Sequence, residues 1–289
     1  EQYKKGCVRV TWGSSAGTIF VYLAAPFCIM WKGWRSVFFL CAGAAFCFAF
    51  LWIRGIAMIE TRLEAQMGKQ EPGAHGGRSR MQRKEQRSLF SGNLRLLLPV
   101  IMFAIVMQGS LRDGITTWMP GYLAETFRLD SSLSILSGVT LPIFSIICLE
   151  ITSVLNRKLI KNELLCAGMV FLAGFLGALL LSFIPDFCVQ ISVFLAALIT
   201  GCMYGVNVIL VSMIPPYFKR SGNVSTVSGL LNSCTYVGSA LSSFGIAWAV
   251  QHKGWSFAIW LWTAAAFIGT ALCLCSGKLW NQYKDSSGI

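Results

Sequence analysis

Residues 94–121 read LRLLLPVIMFAIVMQGSLRDGITTWMPG, and this stretch decides the fold. A hydrocarbon core of ~30 Å needs about 20 mostly apolar residues to cross it as a helix. The stretch meets that length, and its polar residues are not scattered. Gln108, Arg112 and Thr116 follow one another at four-residue spacing, with Gly109 and Asp113 flanking them. Leu111, Ile115, Trp118 and Tyr122 line the other side. On a helix these spacings separate two faces, one apolar and one turned to a polar cavity.

Seven further stretches have the same length and apolar character, near residues 8–30, 36–56, 132–155, 163–184, 188–214, 224–250 and 255–276. Alternating strand patterns are absent, which argues against a barrel. Gly168, Gly174, Gly177, Gly201 and Gly205 recur inside the spans, as expected where helix backbones approach closely in lipid. The composition agrees: 55% of the 289 residues are hydrophobic and 12% charged. That leaves too little polar surface for a water-soluble fold. The expectation is an all-α, polytopic membrane bundle of eight transmembrane helices.

Charge sets the orientation. The N-terminal segment, the 54–95 loop, residues 157–161, residues 219–220 and the C-terminal tail hold nineteen of the 24 Lys and Arg. The loops on the opposite side hold Lys32, Arg35, Arg128 and Lys253. Short basic loops stay in the cytoplasm. Both ends of the chain are therefore expected in the cytoplasm, with the chain in the cell membrane. This asymmetry explains the net charge of +12 without a nucleic-acid partner. The 58–93 segment reads as a basic cytoplasmic linker. His75 within it has no ligand-spaced companion, and Arg78–Arg87 could meet anionic lipid. The eleven cysteines lie mostly in apolar runs without paired spacing, so they read as small buried hydrophobes. No metal, cofactor or enzyme constellation is expected: no zinc spacing, no phosphate-cradling loop and no His–carboxylate pair within a span.

An internal repeat organises the chain. Lys32-Gly33-Trp34 opens the second span and Lys253-Gly254-Trp255 the eighth. At the same offset Leu40 pairs with Leu261, and Ala44-Ala45-Phe46 with Ala265-Ala266-Phe267. The period is six helices, a mark of transporter folds. Residues 1–57 then read as the last two helices of an N-terminal bundle, and 94–289 as a complete C-terminal six-helix bundle. Four helices are expected to precede residue 1 and to complete the cavity.

With its basic linker, this six-plus-six plan resembles the major facilitator superfamily, and the eight spans correspond to helices five to twelve of twelve. Within it the chain is similar to the organophosphate:phosphate antiporters, the glycerol-3-phosphate and hexose-phosphate carriers. The resemblance rests on Lys5-Gly6 with Trp12, Gly33-Trp34, the run from Arg112 through Trp118-Met119-Pro120-Gly121-Tyr122-Leu123, Tyr204-Gly205, Pro215, Gly222, Gly229-Leu230 and Gly254-Trp255. It implies that Arg112 binds substrate phosphate and that the protein exchanges anions. Ala16 stands where the resemblance places a histidine, and Thr117 where glycerol-3-phosphate carriers have an acid.

The residues support this on their own terms. A charge at mid-bilayer is costly and usually faces a water-filled path or a counter-charge. A guanidinium donates paired hydrogen bonds to two phosphate oxygens. Arg112 is therefore the leading substrate-binding candidate, with Gln108, Asp113 and Thr116 on its face. Its alternative is a structural ion pair with Asp113 or a neighbouring helix. Tyr204 with Asn207, and Asn232 with Tyr236, share faces of their own spans. They could orient a polar substrate or bond helix to helix. The functional expectation is a secondary transporter for a small, anionic solute. A transporter-like sensor of a sugar phosphate, a carrier of a non-phosphate solute, an intramembrane enzyme and a non-functional remnant are the alternatives.

Overall fold

A computed structural model describes residues 2–67, 94–129, 134, 136–183, 188–221 and 223–287. Residues 68–93 of the expected linker, with His75 and Arg78–Arg87, lie outside the described residues. Every regular element among the described residues is helical. In lipid, a helix satisfies its backbone groups internally without needing a neighbouring strand.

The elements follow one another as α1 (Gln2–Lys32), α2 (Arg35–Met67), α3 (Leu94–Phe127), α4 (Thr140–Lys158), α5 (Glu163–Phe183), α6 (Val189–Asn207) and α7 (Val224–Ser287). Between α6 and α7 the chain runs through a π-helical turn, Val208–Met213, and a 3-10 helix, Pro215–Ser221. Pro215 and Pro216 have no N–H to donate, so the α ladder stops there, where the sequence places a helix end. The span predicted at 188–214 is thus α6 plus the π turn.

The apolar part of α7, Val224–Lys284, is 61 residues long. At 1.5 Å per residue it would extend about 90 Å, three times a bilayer core. It is two helices, broken at Gly254, whose φ of 79° and ψ of 178° are not helical. That combination is essentially confined to glycine. The break falls between the two spans predicted at 224–250 and 255–276, so the described residues hold eight helices long and apolar enough to cross a membrane. Gly33, between α1 and α2, has the matching φ of 83°. The two copies of the Lys-Gly-Trp repeat therefore make their turns on the same kind of glycine. α3 ends differently, on Arg128 with a φ of 53°.

By packing, the chain divides into two compact units, residues 1–19 with 87–289 and residues 20–86. The second unit holds the rest of α1 and all of α2, and its large side chains point outward, among them Phe38, Phe46 and Trp52. In the first unit α3 packs chiefly on α7, α4 on α6, and α5 on both α6 and α7. The core runs continuously from Leu97, Ile101 and Ile105 on α3 through Phe171 on α5 to Trp262 and Trp280 on α7.

Small residues set the crossings. Gly174 lies against Met203, Gly201 against Phe144 and Cys148, and Gly205 against Thr152. The tightest crossing is the α3–α7 one. A Cβ on Gly109 would overlap the Thr235 carbonyl, and one on Gly238 would overlap that of Val106. The pairs Gly109–Thr235, Gly114–Ser242 and Gly121–Trp255 rise together along both helices. α3 and the first arm of α7 are therefore parallel.

Candidate functional site

Arg112 sits just beyond this crossing. Its side chain is 14% exposed and that of Asp113 is 25% exposed. Arg112 Nε donates to Asp113 Oδ1 at 2.7 Å and Nη2 to Oδ2 at 2.9 Å, a two-pronged ion pair. Successive residues point about 100° apart on a helix, so spacing alone does not pair them. The long arginine stem curls back far enough to close the pair. Two of the five N–H donors of a guanidinium are thus matched to two oxygens of one acid. The same edge fits two oxygens of a phosphate.

α6 supplies the floor. The guanidinium carbon lies 5.3 Å from the centre of the Tyr204 ring. This is cation–π range, and it holds the charge without presenting another counter-ion. Tyr236, on the first arm of α7, is within electrostatic reach of Arg112. Its side chain is largely exposed. Thr116 donates to the Arg112 carbonyl at 2.7 Å, a bond within the helix.

Gln108 and Asn207 meet one turn below. Asn207 Nδ2 donates to Gln108 Oε1 at 3.2 Å, and Gln108 Nε2 donates to the Met203 carbonyl at 3.1 Å. Gln108 is fully buried. These two amides fasten α3 to α6 and fix the height of Tyr204 beneath Arg112. The sequence candidates therefore fall into three groups. Arg112, Asp113, Tyr204 and Thr116 gather at one place, with Tyr236 within electrostatic reach. Gln108 and Asn207 form a bracket below it. Asn232 lines a separate cavity of about 560 Å³ with Cys7, Thr11, Ser212 and Ser228.

A second polar cluster escaped sequence reasoning. Glu163, at the first turn of α5, is fully buried. Its Oε1 accepts from the Tyr217 hydroxyl at 2.5 Å. Its Oε2 accepts from Trp280 Nε1 at 2.9 Å and from Lys284 Nζ at 3.1 Å. One carboxylate thereby ties α5, the 3-10 helix and the end of α7 together. Its signal was Asn162-Glu163 before an apolar run. An Asn cap followed by an acid is favoured at a helix start, and Asn162 Oδ1 does accept the Leu165 N–H at 3.0 Å. Among the described residues, no three His, Cys, Asp or Glu side chains gather as a metal site.

The partly buried Arg112, paired with Asp113 and facing Tyr204, thus sits on a bundle of helices that cross at short glycine contacts. No match was found among curated proteins. The sequence model of the Major Facilitator Superfamily matches residues 2–243, from α1 to the first arm of α7. The match covers well over half of the chain and includes every residue of the Arg112 site, and the protein therefore belongs to the Major Facilitator Superfamily of membrane transporters.

Proposed function

We propose that the protein is a secondary carrier for a small anionic solute, exchanging an organophosphate against inorganic phosphate by alternating access. The observation that carries this reading is the Arg112–Asp113 fork over Tyr204. The guanidinium holds a carboxylate by two parallel bonds. A phosphate offers the same two-oxygen edge with more charge, so it can displace Asp113 from the fork. Tyr204 and Tyr236 then flank the bound anion. The nineteen basic residues in one set of loops support a plasma-membrane carrier with both ends of this chain in the cytoplasm.

The ion pair also favours a second reading, in which Asp113 satisfies Arg112 permanently and the solute is not a phosphate. Counterflow into proteoliposomes separates them. The full-length protein would be loaded with inorganic phosphate inside and offered organophosphates, carboxylates and neutral solutes outside. Arg112→Lys keeps the charge but loses the fork. Organophosphate exchange that falls at least about tenfold in Arg112→Lys, the loss of about 1.4 kcal/mol of fork geometry, supports the antiporter. Exchange of a neutral solute, unaffected by Arg112→Lys, supports the second reading. Binding of an organophosphate without flux would point to a sensor instead.

A further inference from the structure

The cavity that holds Asn232 has chemistry of its own. Its lining residues include Cys7, Thr11, Val211, Ser212, Ser228 and Asn232, and the Thr11 hydroxyl also donates to the Cys7 carbonyl at 2.9 Å. Among the described residues, no charged side chain lines it. A volume of about 560 Å³ falls within the usual range for small-molecule sites. Hydroxyls and an amide both donate and accept hydrogen bonds. An ion placed among them would find no counter-charge on the described lining residues, whereas a hydroxylated neutral group could match them.

Its place in the fold is as informative as its lining. Asn232 lies one turn before Tyr236 on α7, and Ser212 lies eight residues beyond Tyr204, roughly 12 Å along the helix. Because α3 and the first arm of α7 run parallel, both displacements lead from Arg112 toward the start of α3. That is the side on which the basic loops place the cytoplasm. The π turn Val208–Met213 forms part of this wall, with Val211 and Ser212 both facing the cavity. π turns are rare and concentrate at functional sites.

We infer that this cavity is a second solute station on the cytoplasmic side of Arg112, which takes an uncharged, hydroxyl-bearing solute or solute moiety. It rests on the carrier reading above but not on Arg112 binding an anion. A solute leaving the arginine would meet Asn232 and Ser212 next, and its hydroxyls would exchange water for these side chains. The substrate class is thereby narrowed to solutes that carry hydroxyl groups.

Cys7 is a built-in reporter. The protein would be reconstituted in proteoliposomes and treated with N-ethylmaleimide, with labelling followed peptide by peptide by mass spectrometry. Cys275, exposed on α7, serves as the internal reference. Sorbitol is the probe and inorganic phosphate its charged control. The expected result is a saturable slowing of Cys7 labelling by sorbitol, at least threefold, with Cys275 unchanged. Asn232→Ala and Ser212→Ala, small changes that keep the helices, should each remove the slowing while Cys7 still reacts. Arg112→Lys should leave it intact, so the station and the anion reading fail separately. The inference is overturned if Cys7 does not react at all, if sorbitol does not slow it, if Cys275 slows equally, or if phosphate protects Cys7 better than sorbitol.

Discussion

The two Lys-Gly-Trp turns share a sequence and a positive-φ glycine, yet their tryptophans have different surroundings. Trp34 is 61% exposed, and its ring contacts are local ones, to Phe38 and Arg35. Trp255 is half-buried, packs on Tyr122 with ring centres 5.4 Å apart, and donates its indole N–H to Glu125 at 2.8 Å. The helices that follow differ likewise. The apolar window of α2 has no buried residue, while 44% of the window in α7 is buried. Hydropathy records only that a segment avoids water, and lipid and protein satisfy that equally well. The residues that distinguish the two regions are small or polar ones placed where another helix passes.

The sharpest way to break this comparison is to add bulk at glycines in both regions. Gly238→Val drives a side chain into the backbone of α3, which cannot swing aside as a side-chain tip can. The expected cost is about 3 kcal/mol, the upper part of the overpacking range, and little folded protein should be recovered. Gly109→Val should behave alike. Gly43 and Gly55 on α2 have nothing within 4 Å of an added Cβ. Valine there should leave the detergent melting temperature within a degree or two of the parent. Equal losses in both regions would mean that α2 is packed as tightly as α3.

Next in size is Glu163→Ala. It leaves Lys284, Trp280 and Tyr217 without their shared acceptor, and removing one partner of a buried ion pair costs about 3 kcal/mol. Glu60→Ala, on an exposed position of α2, should fall within about 0.5 kcal/mol of the parent. Paired thermal melts measure the difference. A Glu163 variant as stable as the Glu60 one would show that the cluster contributes nothing net.

The glycines of the repeat test the turn itself. Ala at Gly254 is sterically free, since nothing lies within 4 Å, so its cost is conformational. About 1–2 kcal/mol is expected for a φ and ψ that only glycine adopts readily. Gly33→Ala, with the same φ and the same open space, should cost a similar amount. A much larger loss at Gly254 would show that the packing of Trp255 depends on the angle of this turn.

The sequence was readable wherever a local pattern carried the information. Spans, the break at Gly254 and the polar face of α3 all follow from spacing along one helix. The match of glycines to close crossings was also legible, because in lipid a small residue has few other reasons to recur. What escaped was long-range or conformational. Glu163 finds partners 54, 117 and 121 residues away, and no spacing rule links them. The π turn at Val208–Met213 has an ordinary apolar composition, so nothing marks it before the Pro215-Pro216 stop. The Arg112–Asp113 pair depends on how a flexible stem folds, which adjacency leaves open. Sequence could therefore name the arginine but not its partner, and could name Asn232 but not the cavity wall beside it.

The smallest effect is the most discriminating, because it changes one atom's bonding in each half of the repeat. Trp255→Phe keeps most of the ring against Tyr122 and removes the N–H that Glu125 accepts. A hydrogen bond with a charged acceptor at an exposed position should contribute about 1 kcal/mol. Trp34→Phe removes an N–H from an exposed ring and should change nothing measurable by thermal melt. If Trp255→Phe is silent as well, the indole bond is incidental, and the hold on the second arm of α7 is the packing on Tyr122 alone. Trp255→Leu would then show the loss that Trp255→Phe did not. If instead both Phe variants lower stability equally, Trp34 has an acceptor in the folded membrane protein, and the two halves of the repeat are closer in environment than their exposures imply.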